Sequence, residues 1–506
     1  MNFPILSVIT FLPFAAGMLM LMMPANRKNE IRAVALASAV IDLLLSAWVY
    51  LQYLLGHMQG YQFIEKYNWL NIYPVHIELH FGVDGMSAPL VLLTGIVMFT
   101  GVLISWGNDD PHVMAGIQDR PREFFAFLFL LAGGVFGVFV SLDLFMLFFF
   151  YEIAVFPMYL LIAIWGWVKT REYAAMKLTL YLFIGSVVAL VGALAMYWVQ
   201  YQNTGVLSFD MLRMEGAGFS PEFQNIWFLP VFLGFAVLGG IWPFHNWSPD
   251  GHVAAPTAVS MFHAGVLMKL GAFAALRVGV MLLPEGAKHW SWLIMTFAGV
   301  AVVYGAYIAF VQTDMKYMIG FSSVSHMGLV MLGISTLNHN GLVGAGVQMF
   351  SHGVMTALFF AVTGMIYDRA HTRMIPELGG ISKVMPWPTI GFIIGGLVSM
   401  GMPGFSGFIA EFPIFMGVWG RQWLVAVICS ISIIITAAYI MINIRKVFFS
   451  PMPENLEGHI GDVTVLDKVA IATLCLFMIA IGLFPSIMVP MVETGVENVL
   501  RLLGGA

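Results

Sequence analysis

Long apolar runs, separated by short polar punctuation, fill this chain from end to end. Inside the runs apolar side chains follow one another without strict alternation. The period of two that marks a barrel strand is missing, so the pattern predicts helices. A membrane-crossing helix needs about 20 apolar residues. Runs of that order lie at 3–23, 31–54, 87–105, 124–140, 144–165, 174–201, 226–244, 253–283, 290–311, 317–336, 341–366, 388–418, 423–444 and 469–492, which predicts about fourteen spans. The run 253–283 is too long for one span; its start reads as the second half of a broken helix that begins near residue 226.

The polar connections support this division. Correctly divided spans put Lys and Arg into alternate loops, the cytoplasmic ones. Odd loops carry Arg27, Lys28, Arg32, Arg120, Arg122, Lys169, Arg171, Lys316, Arg369, Arg373, Lys383, Arg445, Lys446 and Lys468. Even loops carry only Lys66, Arg213, Lys288 and Arg421. The alternation holds phase to the end of the chain. It predicts a multi-pass protein of a bacterial inner (cell) membrane, with both termini on the non-cytoplasmic side.

Two apolar runs contain Pro/Gly interruptions. One is Pro243-Phe244-His245-Asn246-Trp247-Ser248-Pro249-Asp250-Gly251-His252, followed by Ala255-Pro256. The other is Gly401-Met402-Pro403-Gly404-Phe405-Ser406-Gly407. Such residues open the helical backbone. Interruptions at corresponding places in two halves mark transporters built from inverted repeats, with the working site near the breaks. These breaks lie about five spans apart. The expected organisation is helices 1–3 over 1–123, a first five-helix unit over 124–284, a second over 285–446, and a loop with helix 14 over 447–506. No identity between the units is visible, so the repeat rests on geometry.

Composition agrees with an all-α membrane protein. Of 506 residues, 60% are hydrophobic and only 10% charged, against about 25% charged in a soluble domain. The net charge of −5 is thinly spread, with no basic tract for nucleic acid. Cys429 and Cys475 stand alone in apolar runs and offer no CxxC, iron–sulfur or heme ligand set. No cofactor and no redox centre is expected in this chain. There is no metal-site spacing and no phosphate-binding loop, so ATP-driven transport is not expected either. The run 3–23 lacks a basic lead and a small-residue cleavage site and reads as a retained helix.

The few charges inside the spans carry the candidate chemistry. Glu152 lies nine residues after Asp143, about 13 Å into a core about 30 Å thick. A charge at that depth costs at least about 2.5–3.5 kcal/mol unless paired or hydrated. Lys269 sits in mid-helix, where its stem reaches no interface, and a lysine held there can exchange protons. For both, the structural alternative is a permanent buried pair. Lys177 lies within a turn of a helix start, where simple snorkelling is an equal alternative. Glu411 follows the second break, and there the alternative is capping of the half-helix N-terminus. His263, six residues before Lys269 in the same run, and His326 and His352, between Lys269 and Glu411, lie in three separate spans, and histidine is the natural relay near neutral pH. His245 and His252 fall in the first break, where bonding to freed carbonyls is an equal alternative. A path for protons is the leading reading.

Several stretches carry a resemblance. The run Phe150-Tyr151-Glu152-Ile153-Ala154-Val155-Phe156-Pro157-Met158-Tyr159-Leu160-Leu161-Ile162, the run Gln312-Thr313-Asp314-Met315-Lys316, the run Ser322-Ser323-Val324-Ser325-His326-Met327-Gly328, and Gly401-Met402-Pro403-Gly404 leading to Glu411-Phe412 resemble the antiporter-like subunit M family of respiratory complex I (NADH-quinone oxidoreductase). The likeness extends over about 84–444 and reaches a wider superfamily of multi-subunit cation/proton antiporters and membrane-bound hydrogenases. It implies a proton-translocating subunit without redox cofactor, driven by electron transfer to quinone elsewhere in the complex. It also implies neighbouring membrane-arm subunits of the L and N type, and contact with NADH and quinone only through other subunits. Residue by residue, Glu152 matches the glutamate of the fifth helix, Lys177 the lysine of the sixth, Lys269 the lysine of the eighth and Glu411 the carboxylate of the broken twelfth. His326 and His352 match the middle-helix histidines.

One position departs. The family's lysine on the broken seventh helix is Leu238 here, and no basic residue lies within a turn of it. His263 stands where subunit M has an aliphatic residue and resembles the histidine of subunit L. It is a candidate source of the missing positive charge beside Glu152. The departure keeps open a scaffold subunit that does not pump, beside a cation/proton antiporter subunit as the other alternative.

Overall fold

The computed structural model describes residues 3–56, 59–73, 75–106, 117, 120–458 and 460–504. It is a bundle of long helices. The order is α1 Ile5–Met22, α2 Lys28–Leu55, a hairpin of β1 Gln62–Ile72 and β2 Val75–Val83, α3 Ser87–Ile104, α4 Pro121–Val140, α5 Leu144–Trp165 and α6 Arg171–Thr204. A short turn at Met211–Met214 leads to α7 Pro221–Leu238, α8 Trp247–Ala254, α9 Thr257–Val280, α10 Pro284–Val311, α11 Met315–Ser335 and α12 His339–Ala370. The chain ends with α13 Pro386–Ser399, α14 Ser406–Arg421, α15 Trp423–Phe448, α16 Val465–Leu483 and α17 Val489–Leu502. Thirteen helices among the described residues are long and apolar enough to cross a membrane. The broken pair α13–α14 supplies the further crossing that the hydropathy pattern predicts.

Short polar side chains start these helices where the apolar runs begin. Asp143 accepts from the Met146 amide and Asp314 from those of Lys316 and Tyr317. Asn338 accepts from Gly341, and Thr464 forms a capping box with Asp467. Each satisfies donors that the first turn leaves open. The fourteenth span differs from expectation. It was predicted to run to residue 492 but ends at Leu483, because Phe484 precedes Pro485 and leaves the helical conformation, with φ −128° and ψ 70°. The amphipathic α17 follows as a separate helix, burying Met491, Val492, Val496 and Val499. The β-hairpin was also not anticipated. Its strands pair antiparallel from Gln62 with Val83 to Ile72 with Val75.

Helices α9, α11 and α12 form the interior, with nearly every side chain buried, and α6, α10 and α15 present broad apolar outer faces. Small residues permit the closest contacts. A Cβ on Gly134 of α4 would stand 2.6 Å from the Ala154 nitrogen of α5, and one on Gly305 of α10 would stand 2.6 Å from the Ser325 nitrogen of α11. The two contacts recur at one spacing, since 134 to 305 and 154 to 325 are each 171 residues apart. The capping aspartates Asp143 and Asp314 share that spacing. Each also forms an antiparallel bridge to the segment that precedes a broken helix, to Asp210 and to Met374.

Candidate functional site

The interior polar groups gather around α9. That helix changes gauge twice, with π-helical turns at His263–Leu267 and Ala275–Val280 on either side of Met268–Ala274. Such turns free backbone carbonyls from the regular ladder and recur at functional sites. Lys269 is fully buried, and its ammonium donates to the backbone carbonyl of Ala264. It lies within electrostatic reach of His252, His263, His326 and His352.

On one side of Lys269 the rings of His252 and His263 stand 4.1 Å apart, and Trp247 stacks on His263 at 5.2 Å. His252 Nε2 shares a hydrogen bond with Ser248 Oγ at 3.0 Å. On the other side His326 and His352 stack nearly parallel, with centroids 5.5 Å apart. His326 Nε2 lies 3.4 Å from Glu411 Oε1, and Gln348 Nε2 donates to that oxygen at 3.3 Å. Glu411 Oε2 points at the second break, where a Cβ on Gly401 would lie 3.1 Å from it. Gly401 has φ +66°, so both conformation and space call for glycine. Both ring nitrogens of His263 and of His352 lack a hydrogen-bond partner among the described residues. These groups form a cluster of titratable side chains in the interior of the bundle.

The structure therefore brings Lys269, His263, His326, His352 and Glu411 into one interior cluster, with His252 joining it. It does not bring Glu152 there. Glu152 was expected to be buried; it is exposed on the side of the single chain. Phe149, Glu152 and Phe156 follow at helical spacing, and both phenylalanines are exposed too, so α5 turns this stripe outward. The Glu152 side chain bonds to Ser186 of α6. The idea that His263 supplies positive charge beside Glu152 finds no direct contact, since His263 packs on Trp247 and His252 and makes no hydrogen bond to any described residue. Leu238 is fully buried. Lys177 does not snorkel free. Its Nζ donates to Asp250 Oδ2 at 2.7 Å, and Tyr317 OH donates to Asp250 Oδ1 at 3.1 Å.

Three polar features went unread in the sequence. Asp250 was seen only as part of a break, although an acid in an apolar run is a signal. Lys316, assigned to a loop, is buried in the first turn of α11, where its Nζ donates to the Ala255 carbonyl at 2.8 Å. Arg277, near the end of α9, pairs with Asp84 at 2.7 Å, both about 5% exposed. Burial alone raises the Asp84 carboxyl, but the Arg277 guanidinium and the Ser87 contacts more than offset it and hold it below its ordinary value. The pair stands beside a cavity of about 450 Å³ lined by Tyr61, Asp84, Glu215 and Arg501.

Buried ionisable groups lie between two interrupted helices in a bundle whose helices are long and apolar enough to cross a membrane. Residues 141–436 match the family described as NADH:quinone oxidoreductase/Mrp antiporter, transmembrane, and the chain belongs to that family. It is 35% identical to NADH-quinone oxidoreductase subunit M of Rhodobacter capsulatus, over 98% of this chain and 96% of that protein. It is 33% identical to the subunit M of Pseudomonas aeruginosa, over 99% and 98%. The fold is similar to a chain of respiratory complex I from Thermus thermophilus with bound NADH (TM-score 0.87, 25% identity, 99% and 100% covered). It is likewise similar in fold to a chain of the Mrp complex from Dietzia sp. DQ12-45-1b (TM-score 0.85, 18% identity, both chains fully covered).

Proposed function

We propose that this chain is an antiporter-like membrane subunit of a complex I-type NADH:quinone oxidoreductase and that it translocates protons through its interior cluster. The observation that carries the reading is the buried contact of His326 with Glu411 at 3.4 Å, continued by the stacked ring of His352 at 5.5 Å. Protonated His326 gives its Nε2 proton to the Glu411 carboxylate and is reprotonated from the side of Lys269. The second break leaves Glu411 beside backbone that needs no side chain, which gives the carboxyl room to turn.

Other subunits hold the redox chemistry and supply the drive. Neighbouring membrane-arm subunits cover the outward stripe of α5, so that Glu152 faces a partner rather than lipid. The spans 124–284 and 285–446 form two inverted five-helix units, a reading supported by the recurring cap, bridge and glycine contacts. Both termini lie on the side away from the basic loops, the non-cytoplasmic side.

The test is His326→Ala in the whole complex, reconstituted into vesicles. Proton translocation driven by NADH oxidation is expected to fall about tenfold or more, in line with loss of a positioned acid–base group, while the complex stays assembled. Unchanged translocation would overturn the reading.

A further inference from the structure

The two helix breaks are built alike, bond for bond. In the first, the amides of Gly239, Gly240, Ile241 and Phe244 donate to the carbonyls of Phe235, Val237, Ala236 and Ile241. In the second, Met400, Gly401, Met402 and Phe405 donate to Gly396, Val398, Leu397 and Met402. Every donor and acceptor has moved by one constant separation, 240 to 401. Gly240 and Gly401 both take positive φ, +73° and +66°. Continued past the break, the same register sets Asp250 of α8 against Glu411 of α14.

The partner of each carboxylate recurs as well. Lys177 of α6 and Gln348 of α12 are separated by the 171 residues that relate Gly134 to Gly305 and Asp143 to Asp314. Lys177 donates to Asp250 at 2.7 Å, and Gln348 donates to Glu411 at 3.3 Å. Lys177 lies near the end of α6 that begins at Arg171, on the side of the basic loops. Gln348 lies near the start of α12, which enters from the opposite side. The first pair is partly open, with side chains 14% and 23% exposed, whereas Glu411 is buried. With Leu238 apolar and Glu152 turned outward, Lys177–Asp250 is an acid–base pair that joins two helices of the first unit.

We propose that Asp250 is the first unit's counterpart of Glu411, the carboxylate at which protons enter the path from the side of the basic loops, with Lys177 and Tyr317 as its positioning residues. This rests on the proton-translocation reading. A proton from water binds the Asp250 carboxylate and loosens its bond to Lys177. It then passes through water to Ser248 and His252, one turn along α8 and bonded to each other at 3.0 Å. Asp250 returns to the carboxylate, and His252 lies 4.1 Å from His263.

The test uses the whole complex in vesicles, with Asp250→Asn, Asp250→Glu and the charge swap Lys177→Asp with Asp250→Lys. Asp250→Asn is expected to lower proton translocation about tenfold, and Asp250→Glu to restore it to within about threefold. The swap keeps opposite charges together, so it preserves assembly, and it is expected to leave translocation low because the carboxylate has moved to α6. Full translocation by Asp250→Asn, or recovery in the swap, would overturn the assignment and leave a merely structural ion pair. Glu411→Gln is run alongside. If it fails to pump while Asp250→Asn pumps fully, only the Asp250 assignment falls; if both pump fully, the translocation reading falls with it.

Discussion

Asp84→Ala should be among the most damaging single substitutions outside the interior cluster. The Asp84 carboxylate accepts from Arg277 Nη1 at 2.7 Å and from the amides of Met86 and Ser87 at 3.1 and 3.0 Å. Without it the guanidinium stays buried with the Tyr61 hydroxyl at 2.7 Å and the ring of Phe273, whose centroid is 4.9 Å away. Removing one partner of a buried pair costs about 3–5 kcal/mol. The two amides that start α3 lose their acceptor, at about 1 kcal/mol more. Removing both charges with Asp84→Asn and Arg277→Met should recover most of the loss, because no buried charge is then left unpaired. Cys429 and Cys475 are buried and report unfolding when a thiol-reactive dye reaches them on heating the purified complex. The single variant should melt several degrees lower and the double variant close to the parent. An unchanged midpoint for Asp84→Ala, or a double variant no better than the single one, would refute this reasoning. The sign with pH follows from the lowered Asp84 carboxyl. Its stabilisation is present above the ordinary carboxylate pKa of 3.8 and is lost as pH falls below that value.

Three further outcomes follow from the packing and the charges. Gly401→Ala forces a side chain into a φ of +66° and against Glu411 Oε2; it should cost about 1–3 kcal/mol and slow translocation, read by melting and by pumping in the same preparation. Gly134→Val should disturb α4–α5 packing by about 1–3 kcal/mol, since even a Cβ would stand 2.6 Å from the Ala154 nitrogen; an unshifted melting midpoint would contradict the close approach. Burial lifts the Asp143 carboxyl, at the start of α5, to about 7. An acid raised in this way makes the folded state lose stability as pH climbs from about 4 to 7. Asp143→Asn keeps the cap and should remove that loss, visible as a flatter melting-versus-pH curve.

The architecture was legible because a bilayer imposes a simple rule: each crossing needs a long apolar run, and basic residues alternate between loops. What escaped was local. The stretch from Val75 to Val83 alternates Ile77, Leu79 and Phe81 with His76, Glu78 and His80, a strand period overlooked beside the far longer helical runs. Glu152 faces outward instead of inward, since hydropathy fixes how far along a helix a residue lies and not which way it faces. His326 and His352 stand out in the sequence one by one, but their stacking depends on how α11 packs on α12. Asp250 stayed hidden because its partners, Lys177 and Tyr317, are 73 and 67 residues away.

The central claim is that protons cross through the interior cluster that ends at Glu411. The most direct measurement is the number of protons moved per NADH oxidised by vesicles holding the intact complex with Glu411→Gln. The amide keeps the shape and the contact with Gln348 but neither takes nor gives a proton as a carboxyl does. The account predicts a clear fall in the proton-to-NADH ratio, in a complex that remains fully assembled. A ratio equal to that of the parent would contradict it.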